Sequence, residues 1–231
     1  QSGRSVSLSS DGKTLAIGAY LNAGNGTQSG HVRIYNYNGT AWTQLGEDVD
    51  GEATYNQSGQ SVSLSYDGKT LAIGANNNNN GNGTNSGHVR IYNFNGTSWW
   101  QLGADIDGKA TNDYSGQSVS LSSDGKIVAI GANGNDGNGN ASGHVRIHNY
   151  NGTAWVQLGE DIDGEAAGDQ SGQSVSLSSN GKTVAIGANT NNGSGENSGH
   201  VRVYQYSSDS WTQLGEDIDG KLAGDQSGQS V

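Results

Sequence analysis

One pattern occurs four times along this chain, and its period constrains the fold more than any other property of the sequence. The block Ser-Gly-Gln/Arg-Ser-Val-Ser-Leu-Ser begins at Ser2, Ser58, Ser115 and Ser171, and it begins again at Ser227. The steps between these serines are 56, 57, 56 and 56 residues. A period of this length over the whole chain indicates an array of supersecondary units rather than one irregular globule. The predicted units are residues 1–57, 58–114, 115–170 and 171–226, and residues 227–231 start a further repeat or supply a closing strand.

Composition alone is typical of a disordered chain, because only 38 of 231 residues are Leu, Ile, Val or Phe and the formal net charge is −11. The repeats overrule this interpretation, since the apolar residues are gathered into short alternating runs. The negative charge argues against a nucleic-acid partner. No run of 18 apolar residues occurs, so we expect no membrane insertion. The chain begins part-way through a repeat and contains no Met, and we interpret it as a mature or excised part of a longer protein.

Within one unit, four short segments have the pattern of β-strands. In the first unit, residues 5–9 alternate polar and apolar side chains, and residues 13–19 form a second apolar run. Asp11-Gly12 lies between them and predicts a two-residue hairpin turn with positive φ at both positions. Residues 31–37 and 40–45 flank Asn38-Gly39 and predict a second hairpin of the same kind. Four antiparallel strands in each unit match one blade of a β-propeller, so the predicted fold class is all-β, a propeller-type array of four blades.

The segment Ser115-Gly-Gln-Ser-Val-Ser-Leu-Ser-Ser-Asp-Gly-Lys-Ile-Val-Ala-Ile-Gly-Ala132 resembles the FG-GAP repeat of the integrin α-subunit propeller and its microbial relatives. All four units share this similarity. The chain departs from that pattern where Ser replaces the family's Phe and where its Pro becomes Tyr20, Asn76, Asn133 or Asn189. Many family members bind calcium in the loop between the first two strands. Here that loop is a bare turn with at most one carboxylate, so we do not expect this calcium site.

A repeated acidic segment, Asp-x-Asp-Gly, is the remaining candidate for binding a cation. Alternate carboxylates that end at a Gly turn resemble half of a calcium loop. The alternative is a solvated turn whose Asp side chains accept hydrogen bonds from their own backbone. The candidate calcium ligands are Asp48, Asp50, Asp105, Asp107, Asp161, Asp163, Asp217 and Asp219.

Two further motifs recur with the repeat. The sequon Asn-x-Ser/Thr occurs in loops and turns that we expect to be exposed, which predicts a glycoprotein, although Asn-Gly-Thr is also favourable hairpin chemistry. The candidate glycosylation sites are Asn25, Asn38, Asn56, Asn82, Asn95, Asn140, Asn151 and Asn192. A His-x-Arg pair begins at His31, His88, His144 and His200. We interpret these pairs as the polar face of a strand, with Arg bridging to carboxylates, rather than as metal ligands.

No candidate catalytic residue stands out, because each polar motif recurs in every unit. We therefore predict a non-enzymatic extracellular or cell-surface protein with a structural or adhesive role, self-associating as a subunit of a filament or surface assembly. The alternative is a binding module that presents its Asn/Gly-rich loops to a glycan or protein ligand. Neither function requires a cofactor, and calcium is compatible with both.

Overall fold

The chain folds into four five-stranded antiparallel sheets, one for each repeat, and we call these sheets blades 1 to 4. The computed structural model describes all 231 residues. Blade 1 contains β1 (Ser5–Leu8), β2 (Thr14–Gly18), β3 (His31–Tyr37), β4 (Trp42–Gln44) and β5 (Val49–Asp50). Blade 2 contains β6 (Ser61–Leu64), β7 (Thr70–Ala75), β8 (His88–Phe94), β9 (Trp99–Gln101) and β10 (Ile106–Asp107).

Blades 3 and 4 repeat this arrangement. Blade 3 contains β11 (Ser118–Leu121), β12 (Ile127–Ala132), β13 (His144–Tyr150), β14 (Trp155–Gln157) and β15 (Ile162–Asp163). Blade 4 contains β16 (Ser174–Leu177), β17 (Thr183–Ala188), β18 (His200–Ser207), β19 (Ser210–Gln213) and β20 (Ile218–Asp219). The first strands of successive blades pack against one another. The all-β, propeller-type fold predicted from the repeats is therefore confirmed.

The hydrophobic core lies between the blades rather than inside any one of them. Each core layer combines the middle strands of one blade with the first two strands of the next. Val32 and Ile34 of blade 1, for example, pack with Val62 and Leu71 of blade 2. A single β-sheet cannot bury its own apolar face, so each blade depends on its neighbours for stability. No helix of the structure has the length and apolar character needed to cross a membrane.

Each blade contains a short fifth strand that the sequence pattern did not predict. In blade 1, β3 has seven residues but β4 has only three, so the start of β3 is free to pair with another segment. β5 pairs there, with Val49 opposite Val32 and Asp50 opposite His31. The acidic connection predicted as a loop is therefore partly strand, and this pairing brings the second Asp of Asp-x-Asp beside the strand that carries the His.

The predicted hairpins form, but the turn type differs from the prediction. At Asp11-Gly12 and Asn38-Gly39, only the glycine has positive φ. Side chains stabilise these longer turns: the Asn38 carboxamide oxygen, for example, accepts hydrogen bonds from the backbone N–H groups of Thr40 and Ala41. Two consecutive residues with positive φ occur instead at Ser208-Asp209, between β18 and β19. In that blade the Asn-Gly pair is absent, and the strands extend further toward the turn.

The serines that replace the family's Phe lie at backbone contacts between blades. Ser58, Ser115 and Ser171 are fully buried. The Ser58 amide donates to the Ser29 carbonyl oxygen at 3.0 Å, and Gly30 forms a parallel bridge with Ser58. Because the two backbones approach this closely, there is space only for a small side chain. Ser therefore suits a position where two chain segments pair directly.

Candidate functional site

The candidate site lies at the junctions between blades, where a buried histidine meets several carboxylates. The His that begins the third strand of each blade is 6% exposed or less. The short fifth strand pairs with this third strand, so His144 lies opposite Asp163 and His200 lies opposite Asp219. The first Asp of each Asp-x-Asp pair is also held close, because a Gln four residues earlier donates a hydrogen bond to it. The distance from Gln157 Nε2 to Asp161 Oδ1 is 2.8 Å.

Three groups of side chains have ligand atoms within 4.8 Å of one another and have the composition of a metal-binding site. The groups are Glu52, His88 and Asp105; His144, Asp161 and Asp163; and Glu165, His200 and Asp217. The distance from the His Nδ1 atom to the nearest Asp Oδ2 atom is 3.2 Å at His88 and 3.4 Å at both His144 and His200. Each group thus offers one imidazole and two carboxylates.

The residue that the preceding blade contributes differs from one junction to the next. Glu52 and Glu165 lie at the junctions of blades 1 and 2 and of blades 3 and 4, where each is also 3.5 Å from an Arg Nη1 atom. At the junction of blades 2 and 3 the equivalent residue is Lys109, and its Nζ atom lies 2.6 Å from Asp161 Oδ2. Neighbouring junctions therefore carry opposite charges at the same position.

Burial and neighbouring charges shift the pKa values of the group in blade 3. Burial, and to a lesser extent the charge of Arg146, lower the pKa of His144 to about 4, so this imidazole is neutral at neutral pH and has a free lone pair. Burial raises the pKa of Asp161, but hydrogen bonds from Lys109 and Gln157 outweigh burial and the net shift is downward. The pKa of Asp163 is raised by burial and by the charge of Asp161.

A cavity of about 360 Å³ lies beside this group, between blades 3 and 4. Asp161 and Asp163 line one side, and Tyr204 and Trp211 of the next blade line the other. A smaller cavity of about 220 Å³ occupies the matching position between blades 1 and 2, with Asp48, Asp50, Tyr92 and Trp99 among its lining residues. The larger cavity combines acidic side chains with an aromatic wall.

The structure brings four of the eight predicted Asp ligands into these groups: Asp105, Asp161, Asp163 and Asp217. Asp48 instead binds Arg33, and its pKa is lowered mainly by that contact. The first Asp of each pair therefore accepts hydrogen bonds from side chains and not from its own turn. In the turn that follows the Asp-x-Asp pair, Asp113, Asp169 and Asp225 do accept hydrogen bonds from nearby backbone N–H groups.

The histidines lie beside carboxylates, which agrees with the predicted polar face of a strand, but that prediction did not include their burial. A constant interval marks them: each His precedes the first Asp of its Asp-x-Asp pair by 17 residues in every repeat. The arginine bridges were predicted correctly at Arg33, Arg90 and Arg202. Of the candidate glycosylation sites, seven are exposed and Asn56 is buried.

The comparisons with known proteins agree with this architecture. The FG-GAP repeat family model matches residues 105–147 and 162–204. These two segments are FG-GAP repeats. Each matched segment runs from an Asp-x-Asp region through the next hairpin to the third strand of the following blade, so each FG-GAP segment contains the parts of one blade junction. No curated protein sequence matches the chain.

Three solved structures share the fold. A gluconolactonase from the periplasm of Pseudomonas aeruginosa has a TM-score of 0.61 at 18% identity, over 95% of this chain and 58% of its own. A putative 6-phosphogluconolactonase from Bacteroides uniformis has a TM-score of 0.60 at 15% identity, over 93% and 54%. Hydrazine synthase from Kuenenia stuttgartiensis has a TM-score of 0.56 at 16% identity, over 94% and 49%. The chain thus spans about half the length of these proteins, and the low identities establish the fold alone.

These neighbours contradict the prediction of a non-enzymatic structural or adhesive protein, because one is a gluconolactonase and another a putative 6-phosphogluconolactonase, both built on the same fold. The prediction rests on the recurrence of each polar motif in every repeat, which gives no single asymmetric catalytic site. In the structure, two of the three candidate groups combine side chains from two blades, and the junctions differ from one another, as Glu52 and Lys109 show. Near-identical repeats therefore produce chemically different sites, and the prediction that this chain is not an enzyme was wrong.

Proposed function

We propose that this chain is part of a hydrolase that opens a cyclic ester, with its site in the cavity between blades 3 and 4. The observation that carries the proposal is the position of His144, Asp161 and Asp163. Together these side chains can hold a divalent cation, and Asp161 and Asp163 also line the cavity. The shared fold with two lactonases supports the substrate class by analogy. The FG-GAP repeats support an extracellular or cell-surface location.

The ligand set favours zinc or manganese over calcium. One neutral imidazole and two carboxylates are a ligand set that zinc accepts, and three protein ligands leave a position for water or substrate. Calcium takes six to eight oxygen ligands, so it is the weaker candidate at a group that includes a nitrogen. Lys109 contacts one carboxylate oxygen of Asp161, which retains a second lone pair. Because the Lys109 ammonium repels a cation, its removal should strengthen cation binding.

The residues around the cavity would have different roles in opening the ester. A divalent cation at the group would polarise the ester carbonyl and lower the pKa of water. His144 and the two Asp side chains would position that charge, and the burial of His144 and most of Asp161 limits screening by solvent on that side. Tyr204 and Trp211 offer an aromatic surface on which the face of a sugar-like ring can pack. Water adds to the carbonyl carbon, the ring C–O bond breaks, and the product is a hydroxy acid that releases one proton.

Proton release in a weakly buffered indicator assay tests this function, with glucono-δ-lactone as substrate. Protein loaded with zinc, manganese or calcium is compared with chelator-treated protein. We expect activity with zinc or manganese, and a loss of at least about tenfold in Asp163→Asn. Glu160→Gln is the matched control, because Glu160 lines the same cavity but lies outside the cation-binding group.

Calorimetric titration with zinc tests the cation site independently of turnover. Lys109→Met should bind zinc more tightly than the unmodified protein, and Asp163→Asn should bind it more weakly. Lactone hydrolysis that is unchanged by the chelator and by Asp163→Asn would overturn the proposal, and so would the absence of any hydrolysis above the uncatalysed rate.

A further inference from the structure

Two of the three groups that can hold a cation join neighbouring blades, and the proposed function does not use them. In each of these two groups, the Glu follows the last strand of one blade, and the His and Asp belong to the next blade. We call them the bridging groups, and they are Glu52 with His88 and Asp105, and Glu165 with His200 and Asp217. The third group, in contrast, takes all three of its residues from blade 3.

The bridging group of blades 3 and 4 surrounds a buried imidazole with carboxylates. The His200 Nδ1 atom lies 3.4 Å from Asp217 Oδ2 and 3.9 Å from Glu165 Oε2, and the histidine side chain is 2% exposed. Asp219, which pairs with His200 in the sheet, brings its Oδ1 atom to 4.0 Å. Ligand atoms around a tetrahedral zinc ion are about 3.3 Å apart, given zinc–ligand distances of about 2.0 Å. Side-chain shifts of about 1 Å would therefore bring these atoms to the spacing that zinc requires.

A buried arginine positions the Glu of each bridging group. Arg202 Nη1 lies 3.5 Å from Glu165 Oε1, while the other oxygen of this carboxylate faces His200. Arg202 Nη2 also donates to the Asp163 carbonyl oxygen at 2.7 Å, which fixes the guanidinium. Arg90 makes the same two kinds of contact in the other bridging group. Carboxylates that bind metals are commonly oriented by a further hydrogen-bonding group in this way.

The junction of blades 2 and 3 holds a positive charge at the equivalent place. Lys109 stands there instead of Glu, and its Nζ atom lies 2.6 Å from Asp161 Oδ2. Asp161 is equivalent to the Asp of each bridging group, since it lies 56 residues from both Asp105 and Asp217. In the bridging groups the same Asp faces a Glu, and two carboxylates in contact repel each other unless a cation lies between them. The ammonium of Lys109 therefore marks a position at which the repeat stabilises a cation.

We propose that each bridging group binds a zinc ion that joins two neighbouring blades, as the Lys109 ion pair does at the junction between them. One imidazole and two carboxylates favour zinc over calcium, which takes six to eight oxygen ligands. Because the ligands come from two blades, zinc binds the folded array more tightly than the unfolded chain and so stabilises the array. This inference is independent of the proposed function, whose cation would lie among the three ligands of blade 3.

Equilibrium dialysis of chelator-treated protein against zinc measures how many ions each variant binds. Glu52→Lys and Glu165→Lys should each bind one zinc ion fewer than the original protein, and the double variant should bind two fewer. Glu216→Lys is the matched control, because Glu216 is exposed and lies outside both bridging groups, and it should bind as much zinc as the original protein. These differences are the same whether or not the group in blade 3 also binds zinc.

Thermal unfolding tests whether the bound ions join the blades. Zinc at about 100 times its Kd should raise the Tm of the original protein by at least about 5 °C more than that of the double Lys variant. With a chelator present, the double Lys variant should be at least as stable as the original protein. The reason is that each new Lys can form the ion pair with Asp105 or Asp217 that Lys109 forms with Asp161.

A second double variant, Glu52→Gln with Glu165→Gln, removes the same ligands without adding a positive charge. It should keep the β-sheet circular dichroism of the original protein and bind zinc at these groups at least about tenfold more weakly. Equal zinc binding by the original protein and both double variants would overturn the proposal, since the ions would then bind elsewhere. Zinc binding that leaves the Tm unchanged would also overturn it, and so would an original protein that binds no zinc.

Discussion

The substitution His148→Tyr should make the protein less sensitive to acid. His148 occupies the position at which the other three repeats have Tyr35, Tyr92 and Tyr204. Its side chain is buried, its Nδ1 atom has no hydrogen-bond partner, and burial lowers its pKa to about 3. The charges of Arg146 and Lys109 contribute to this downward shift of the pKa, and the charge of Asp161 opposes it. The folded protein therefore keeps this imidazole neutral.

The direction of the change in stability with pH follows from whether the unfolded or the folded state binds the proton more strongly. The unfolded chain protonates His148 below the ordinary histidine pKa of 6.5, while the folded chain does not do so until about pH 3. Between these values the unfolded state holds more protons, so stability falls as the pH falls. From pH 7 to pH 5 the expected loss from this one group is about 2 kcal/mol, at about 1.4 kcal/mol for each pKa unit. For a chain of this size that corresponds to a shift of about 4–8 °C in Tm.

Thermal unfolding of the original protein and of His148→Tyr at pH 7 and pH 5 tests this reasoning, in the presence of a chelator. The difference between the two proteins isolates His148, because the other titrating groups contribute to both. We expect the Tm of the original protein to fall by about 4–8 °C more than that of the variant between the two pH values. Equal falls in Tm would refute the assignment of a buried neutral imidazole at this position.

Two further predictions concern hydrogen bonds between blades. Trp155→Phe should cost about 1 kcal/mol of unfolding free energy in urea, because it removes the bond to the Leu102 carbonyl, whereas Trp100→Phe, at an exposed position, should cost much less. Ser63→Ala should cost about 1–3 kcal/mol by leaving the Leu121 amide without its acceptor, and Ser194→Ala in an exposed loop should leave the urea midpoint unchanged. Equal costs within either pair would contradict these assignments.

The strands could be predicted because their signals are local. Alternation in residues 5–9 reflects the two faces of a strand, and the glycines of Asp11-Gly12 and Asn38-Gly39 mark chain reversals. The turn type was predicted wrongly, because side chains such as Asn38 bond to the backbone and stabilise a longer turn. The fifth strand was missed because two residues carry too little pattern to identify a strand.

The candidate site was only half predictable. The Asp-x-Asp pairs were identified from their carboxylates, and four of these eight residues lie in groups that can hold a cation. The partner histidines were assigned to the polar face of a strand, but their burial was not predicted, since alternation within a strand does not reveal what packs on either side. The sequence analysis did not distinguish the junction residues Glu165 and Lys109. Glu165 contributes a carboxylate to a group that can hold a cation, whereas Lys109 forms an ion pair with the Asp161 carboxylate.

The period, the strand content and the propeller-type array could be predicted from the sequence alone, because each of these depends on residues close together in one repeat. The chemistry depends on tertiary structure, because two of the three groups that can hold a cation combine side chains of two repeats, and the cavity beside the third group is lined by two repeats. Packing at those junctions buries His144, which lowers its pKa to about 4, and places Asp161 and Asp163 beside Tyr204 and Trp211 of the next blade. A single repeat does not bury the histidine, and it does not provide the second wall of the cavity.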